Sequence, residues 1–154
     1  MSTPTDRLGE LGLALPEVAA PAGAYLPAVR TGSLVFTAGQ IPLVDGVVAA
    51  TGKLGAEISL ERGKELARVC VLNALAAAAA EAGGLDRVRR VVKLVGFVAS
   101  DPSFTAQPAV VDGASELLGA VFGDAGRHAR SAVGVAVLPR DVPVEVELVV
   151  EVED

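Results

Sequence analysis

A chain of 154 residues that is 51% apolar, only 3% aromatic and carries a net charge of −6 suits a single domain, with a Val, Leu and Ala core that needs no metal or disulfide. Its acidic balance and lack of a basic cluster argue against nucleic-acid binding, which needs a cationic face to neutralise phosphates. One cysteine and one histidine exclude an intrachain disulfide and a multi-histidine or mixed Cys/His metal site, and any Ser-His-Asp arrangement would have to use His128, with no Gly-x-Ser-x-Gly elbow to frame its serine.

Met1-Ser2-Thr3-Pro4-Thr5-Asp6 lacks the charged start and hydrophobic core of a signal peptide, so a cytoplasmic location is expected. Ser2 or Thr3 before Pro4 reads as a helix start, with a short helix to about Leu13. Pro16 to Pro21 reads as an irregular connection. Two apolar runs, Ala24–Arg30 and Leu34–Ala38, flank Thr31-Gly32-Ser33 and predict a β-hairpin. Asp45-Gly46 between Leu43-Val44 and Val47-Val48 predicts a second, smaller one.

Ser59 is a suitable N-cap for a long helix to Ala82, ended by Gly83-Gly84. Leu60, Gly63, Ala67, Cys70, Ala74, Ala77 and Ala78 share one face at helical spacing. Cys70 reads as a small buried hydrophobe rather than a reactive thiol, and Asn73 as a satisfied structural amide rather than a site residue. Charges at Glu65, Arg68 and Glu81 argue against a membrane span. Val88–Ala99 predicts a long strand, with Val92, Leu94, Gly96 and Val98 on one face and Val91, Lys93, Val95, Phe97 and Ala99 on the other. Both faces are largely apolar, so both should be covered. Pro108 to Phe122 predicts a second long helix.

Arg130–Val137 and Val144–Val152 predict the last two strands. In the second, Val144, Val146, Leu148, Val150 and Val152 alternate with Glu145, Glu147, Val149, Glu151 and Glu153, the clearest strand pattern in the chain. A hairpin turning near Arg140-Asp141 would set Val137, Val135 and Val133 against Val144, Val146 and Leu148 over the core. The opposite face would carry Arg130, Ala132, Gly134 and Ala136 together with Glu145, Glu147 and Glu151. An arginine followed by small residues leaves room for a small anion. Glu145 would then lie roughly 20 Å along the strand from Arg130, so the two could cooperate only across subunits. Pairing of Arg130 with Glu151 beside a solvated acidic face is the alternative.

Ala129-Arg130-Ser131-Ala132-Val133, then Leu138-Pro139-Arg140-Asp141-Val142 and Val144-Glu145-Val146-Glu147, resemble the C-terminal signature of the reactive-intermediate deaminase (RidA/YjgF) family. Phe36-Thr37-Ala38-Gly39-Gln40-Ile41-Pro42 resembles its N-terminal signature, and Asn73 with the Ala82-Gly83 helix end matches its long helix. The resemblance divides the chain into an N-terminal extension with a short helix, residues 1–21, and a RidA/YjgF-like domain, residues 22–154. The first twenty residues and Gly123–His128 look like a longer branch of that family.

The resemblance implies an α+β, chorismate-mutase-like fold of order ββ-α-β-α-ββ, with two long helices on one face of a mixed sheet and three subunits enclosing clefts between them. The implied partners are two further copies of the chain and a small carboxylate such as a 2-imino or 2-keto acid, with no nucleic acid, membrane, metal or cofactor. The arginine matching Arg130 would grip the carboxylate of a 2-imino acid, and the glutamate matching Glu145 would position a water. The products would be a 2-keto acid and ammonia. Tyr25, Gly39 and Gln40 match residues lining the cleft. Ala132 stands where many members carry cysteine. Asp112 stands where many carry asparagine, and an added carboxylate there would repel the substrate unless protonated or turned away. His128 is either a residue of the cleft rim or a loop residue. A trimeric carboxylate-binding or regulatory protein without useful turnover is the alternative function. An endoribonuclease is the third, and the acidic charge disfavours it.

Overall fold

Local chemistry sets most element boundaries in the computed structural model, which describes residues 1–154. Helix α1 (Pro4–Glu10) begins with a capping box: the Thr3 hydroxyl accepts from the Asp6 N–H while the Asp6 carboxylate accepts from the Thr3 N–H. Strands β1 (Ala28–Thr31) and β2 (Leu34–Thr37) join through Gly32-Ser33, with Gly32 at φ 59°. The small hairpin β3 (Leu43–Val44) and β4 (Val47–Val48) turns at Asp45 and Gly46, both at positive φ as a tight hairpin turn demands. Ser59 caps α2 (Leu60–Ala82) by accepting from the Arg62 N–H, and left-handed Gly83 ends it. Strand β5 (Val88–Ala99), helix α3 (Gln107–Phe122) and strands β6 (Ala129–Val135) and β7 (Val144–Val152) complete the chain. No helix is long and apolar enough to cross a membrane.

The main sheet has five strands in the order β1-β2-β7-β5-β6, antiparallel except for the parallel pair β5–β6. Helices α2 and α3 cover one face. The alternation in β7 is realised in full, since Val144, Val146, Leu148, Val150 and Val152 are all buried beneath the helices. Leu8 of α1 reaches the same core. The Thr5 N–H donates to the Asp86 carboxylate, tying α1 to the turn before β5. The architecture is the expected α+β order with a mixed sheet.

Two expectations about register do not hold. The terminal hairpin does not form: β7 lies between β2 and β5, and β6 is an edge strand parallel to β5. The β5-α3-β6 segment is a crossover unit, whose strands lie side by side and parallel. Residues 136–143 then carry the chain past the end of β5, through a turn that includes Pro139 and Pro143. The faces of β6 are therefore reversed. Val133 and Val137 are exposed, at 43% and 67%, and no ion pair joins Arg130 to Glu151, whose Cα partners are Leu34 and Arg90.

In β5, register shifts between Val88 and Arg90 and between Val91 and Lys93 rotate its first half. Val91 is fully buried and Val92 is 37% exposed, the opposite of strict alternation. The helix-free face carries Lys93, Val95 and Phe97 beside Glu145, Glu147 and Val149. It leaves Val29 and Phe36 about half exposed.

Candidate active site

Arg130 has Leu94 as its Cα partner on β5, and its side chain lies on the face covered by helices. Helix α3 can approach that row because Gly96 has no side chain: a Cβ there would sit 2.8 Å from Val111 Cγ1. The approach sets Asp112 and Ser115, three residues apart on one helix face, beside the guanidinium. Arg130 Nη1 donates to Asp112 Oδ1 at 2.7 Å and to Ser115 Oγ at 3.2 Å. Nε and Nη2 make no hydrogen bond within the subunit, so one edge of the fork is free for a carboxylate. The side chain is 23% exposed, largely covered yet reachable.

His128 belongs to the same cluster. Its Nδ1 lies 2.6 Å from the Gly126 carbonyl and its Nε2 lies 3.0 Å from Ser115 Oγ. Ala132, opposite Gly96, packs against the edge of the core on the same face. Asp112 thus holds the arginine, and its charge is paired with Arg130 rather than turned away from it. Ser115 is a member of this cluster that the sequence pattern does not reveal, although its spacing from Asp112 is a usable signal.

Glu145 sits on the other face of the sheet, opposite Phe97. The Gly39-Gln40 turn is pinned beside it: the Gln40 N–H donates to the Val146 carbonyl at 2.7 Å, and the Val146 N–H donates back to Gln40 at 3.0 Å. Asn73 secures the following residues by donating to the Ile41 and Leu43 carbonyls, the structural role expected for a buried amide. Burial, reinforced by the nearby Glu147 charge, raises the Glu145 pKa above its ordinary value. A cavity of about 360 Å³ opens here, walled by Tyr25, Gly39, Gln40, Glu145, Arg140 and the loop Ala19–Gly23. The Tyr25 hydroxyl accepts from the Ala22 N–H at 3.2 Å, which fastens that loop.

Arg140 lies outside the expected site residues. It and Asp141 adopt positive φ, an uncommon conformation for such residues and a reason to look for function. Cys70 is fully buried, its thiol pKa pushed well up by that burial, and it donates to the Val144 carbonyl. It is no nucleophile. No group of three or more His, Cys, Asp or Glu side chains is placed to hold a metal.

The structure therefore gathers the expected residues into two clusters. Arg130, Asp112, His128 and Ala132 form one, and Tyr25, Gly39, Gln40 and Glu145 form the other. Two strand spacings and three residues of rise put the Arg130 and Glu145 Cα atoms roughly 14 Å apart, with side chains on opposite faces. The expectation that both share one face is corrected, because β6 flanks β5 rather than β7.

Residues 5–152 match the family described as "YjgF/chorismate mutase-like, putative endoribonuclease". Protein TCP17 of Trypanosoma cruzi is 47% identical over 148 residues, which cover 96% of this chain and 92% of that one. The 2-iminobutanoate/2-iminopropanoate deaminase of Salmonella typhimurium is 33% identical over 127 residues, covering 82% of this chain and 86% of the enzyme. Among solved structures, the Agrobacterium tumefaciens protein Atu1372, of unknown function, superposes with a TM-score of 0.91 at 41% identity, over 98% of this chain and 94% of its own. Its coverage includes the N-terminal extension. With the two signatures, the helix-covered mixed sheet and matches over nearly its whole length, this chain belongs to the YjgF/RidA family.

Proposed function

We propose that this protein is a 2-imino acid deaminase whose sites are shared between the subunits of a homotrimer. One observation carries the proposal. Each subunit holds an arginine with a free fork edge and, on the opposite sheet face, a cavity holding a glutamate of raised pKa, and neither half can reach the other within its own chain. The half-exposed Val29 and Phe36 on the helix-free face are apolar surface that a second subunit would cover. The deaminase name of the Salmonella relative supports the same chemistry.

In this mechanism Arg130 of one subunit takes the carboxylate of the 2-imino acid through its Nε and Nη2 donors. Glu145 of the next subunit accepts a proton from a water whose oxygen attacks the imine carbon, and the C=N π pair moves to nitrogen. The resulting carbinolamine receives that proton on nitrogen. Glu145 then takes the hydroxyl proton and hands it to the nitrogen, so that ammonia leaves as the C–N bond breaks and the C–O bond becomes the carbonyl of a 2-keto acid. A carboxylate of raised pKa suits both the acceptance and the return of the proton. Positioning and charge neutralisation suffice, so the step needs no metal or cofactor.

The paired Asp112 favours a second reading, a carboxylate-binding protein without useful turnover, because an incoming anion must share Arg130 with it. The test is keto-acid release from freshly generated 2-aminoacrylate, with Arg130→Ala as control. Release above background that vanishes in the variant supports the enzyme. Arg130-dependent binding of a 2-keto acid without release selects the second reading. Light scattering should give the mass of three chains, and a stable monomer at micromolar concentration would remove the shared site.

A further inference from the structure

We infer that Ser115, oriented by His128, is the positioning residue for the substrate-binding arginine: its hydroxyl holds Arg130 Nη1 so that the Nε/Nη2 edge is presented to the ligand. This rests on the carboxylate-binding role proposed for Arg130. The donor and acceptor inventory fixes both ends of the network. The Gly126 carbonyl can only accept, so His128 Nδ1, 2.6 Å away, carries the proton. With only Nδ1 protonated, Nε2 offers a lone pair to which the Ser115 hydroxyl, 3.0 Å away, donates. The hydroxyl lone pairs are left to face a donor, and Arg130 Nη1 supplies it at 3.2 Å. Arginine cannot accept, so Arg130 Nη1 is always the donor toward Ser115.

Asp112 alone would leave the arginine less well defined. Its side chain is 48% exposed and touches Nη1 through one oxygen. Ser115 approaches the same nitrogen from a helix position whose hydroxyl rotor is locked by His128, and His128 is anchored to the backbone of the turn Gly123–Gly126. Two acceptors one helical turn apart on α3 share the Nη1 protons. An arginine fixed before the ligand arrives loses less rotamer freedom on binding.

The experiment is a double-mutant cycle on Ser115→Ala and His128→Phe, with Ser115→Thr as the hydroxyl-keeping variant and melting temperature as the folding control. Affinity for 2-ketobutanoate is measured by calorimetry, and kcat and KM with 2-aminoacrylate. Ser115→Ala should weaken binding about tenfold, as expected for one hydrogen bond to a charged group, and should raise KM with little change in kcat. Ser115→Thr should bind like the parent. His128→Phe should weaken binding less, and the double variant should be no worse than Ser115→Ala, because the two residues act in one chain. Parent-like binding by Ser115→Ala, or fully additive effects, would overturn the inference. The nitrogen NMR signals of the Arg130 guanidinium give a readout independent of substrate. Restricted rotation in the parent that becomes free in Ser115→Ala supports the network, and equal rotation in both refutes it. A parent that binds no 2-keto acid while its guanidinium is still restricted would instead reject the role given to Arg130.

Discussion

Replacing Gly39 with alanine tests the glutamate half of the site without touching a charged group. Gly39 does not have positive φ, so alanine can adopt its backbone, and the loss of unfolded-state freedom even favours folding slightly. The obstacle is Glu145: the new Cβ would lie 2.9 Å from its Cδ and 3.2 Å from its Cγ. Ordinary contact between such atoms is roughly 3.5–4.0 Å, so the carboxylate must swing away by about 0.5–1 Å. A flexible side-chain end half open to the cavity can do so, and stability should change by less than about 1 kcal/mol. Catalysis is less forgiving, since misplacement by about 1 Å can cost around a hundredfold. Gly39→Ala should therefore melt near the parent temperature, bind 2-ketobutanoate nearly as well, and lose about ten- to a hundredfold in kcat for 2-aminoacrylate. Melting curves, calorimetry and keto-acid release on the same preparation decide it. A variant that turns over like the parent would mean that the Glu145 carboxylate does not position the attacking water.

Arg130→Lys keeps the charge but loses the parallel donors of the fork, so carboxylate binding should weaken about ten- to a hundredfold in a calorimetric titration; parent-like affinity would make Arg130 only the partner of Asp112. Val146→Asp places a charge at a fully buried position and should cost about 4 kcal/mol or more, whereas Glu147→Gln should stay within about 0.5 kcal/mol; equal melting temperatures would refute the observed faces of β7. For Glu145 the folded pKa lies above the unfolded one, so its protonated form favours the fold. That contribution is full below the ordinary glutamate pKa of about 4.3 and is lost as pH rises through the raised folded value. Glu145→Gln should therefore raise the melting temperature at pH 7 while slowing turnover at least tenfold, and the gain in melting temperature should shrink below about pH 4. A loss of stability at pH 7 would contradict the burial cost assigned to this carboxylate.

What the sequence reveals well is what local chemistry decides. The Ser59 cap and Gly83 stop bound α2, Asp45-Gly46 makes a tight turn, and the alternation of β7 names the buried residues of its central strand. The two signature motifs also mark residues of both candidate clusters, from Gly39 and Gln40 to Arg130 and Glu145. The topology of the last two strands is less visible. Consecutive strands with a turn between them suggest a hairpin, but the β5-α3-β6 crossover had already placed β6 beside β5, and that pairing prevailed. The resulting reversal of β6 turned Arg130 toward α3, so Asp112 became its ion-pair partner and Ser115 and His128 joined it. Pairings of this kind depend on which helix faces which strand, and no local pattern encodes that. The bulges that bury Val91 and expose Val92 are equally non-local, because they accommodate β7 along the whole of β5.

Subunit complementation tests the shared site most directly. Arg130→Ala and Glu145→Gln, each with about a tenth of the parent rate or less alone, are unfolded together in equal amounts and refolded so that the chains mix at random. In a trimer with one site per interface, a site regains both residues when a Glu145→Gln chain supplies the arginine and an Arg130→Ala chain supplies the glutamate. About a quarter of the sites meet that condition under random closed assembly. Keto-acid release from 2-aminoacrylate should therefore return to about a quarter of the parent rate. A mixture that assembles yet stays as inactive as either variant alone would contradict the claim that Arg130 and Glu145 act across subunits.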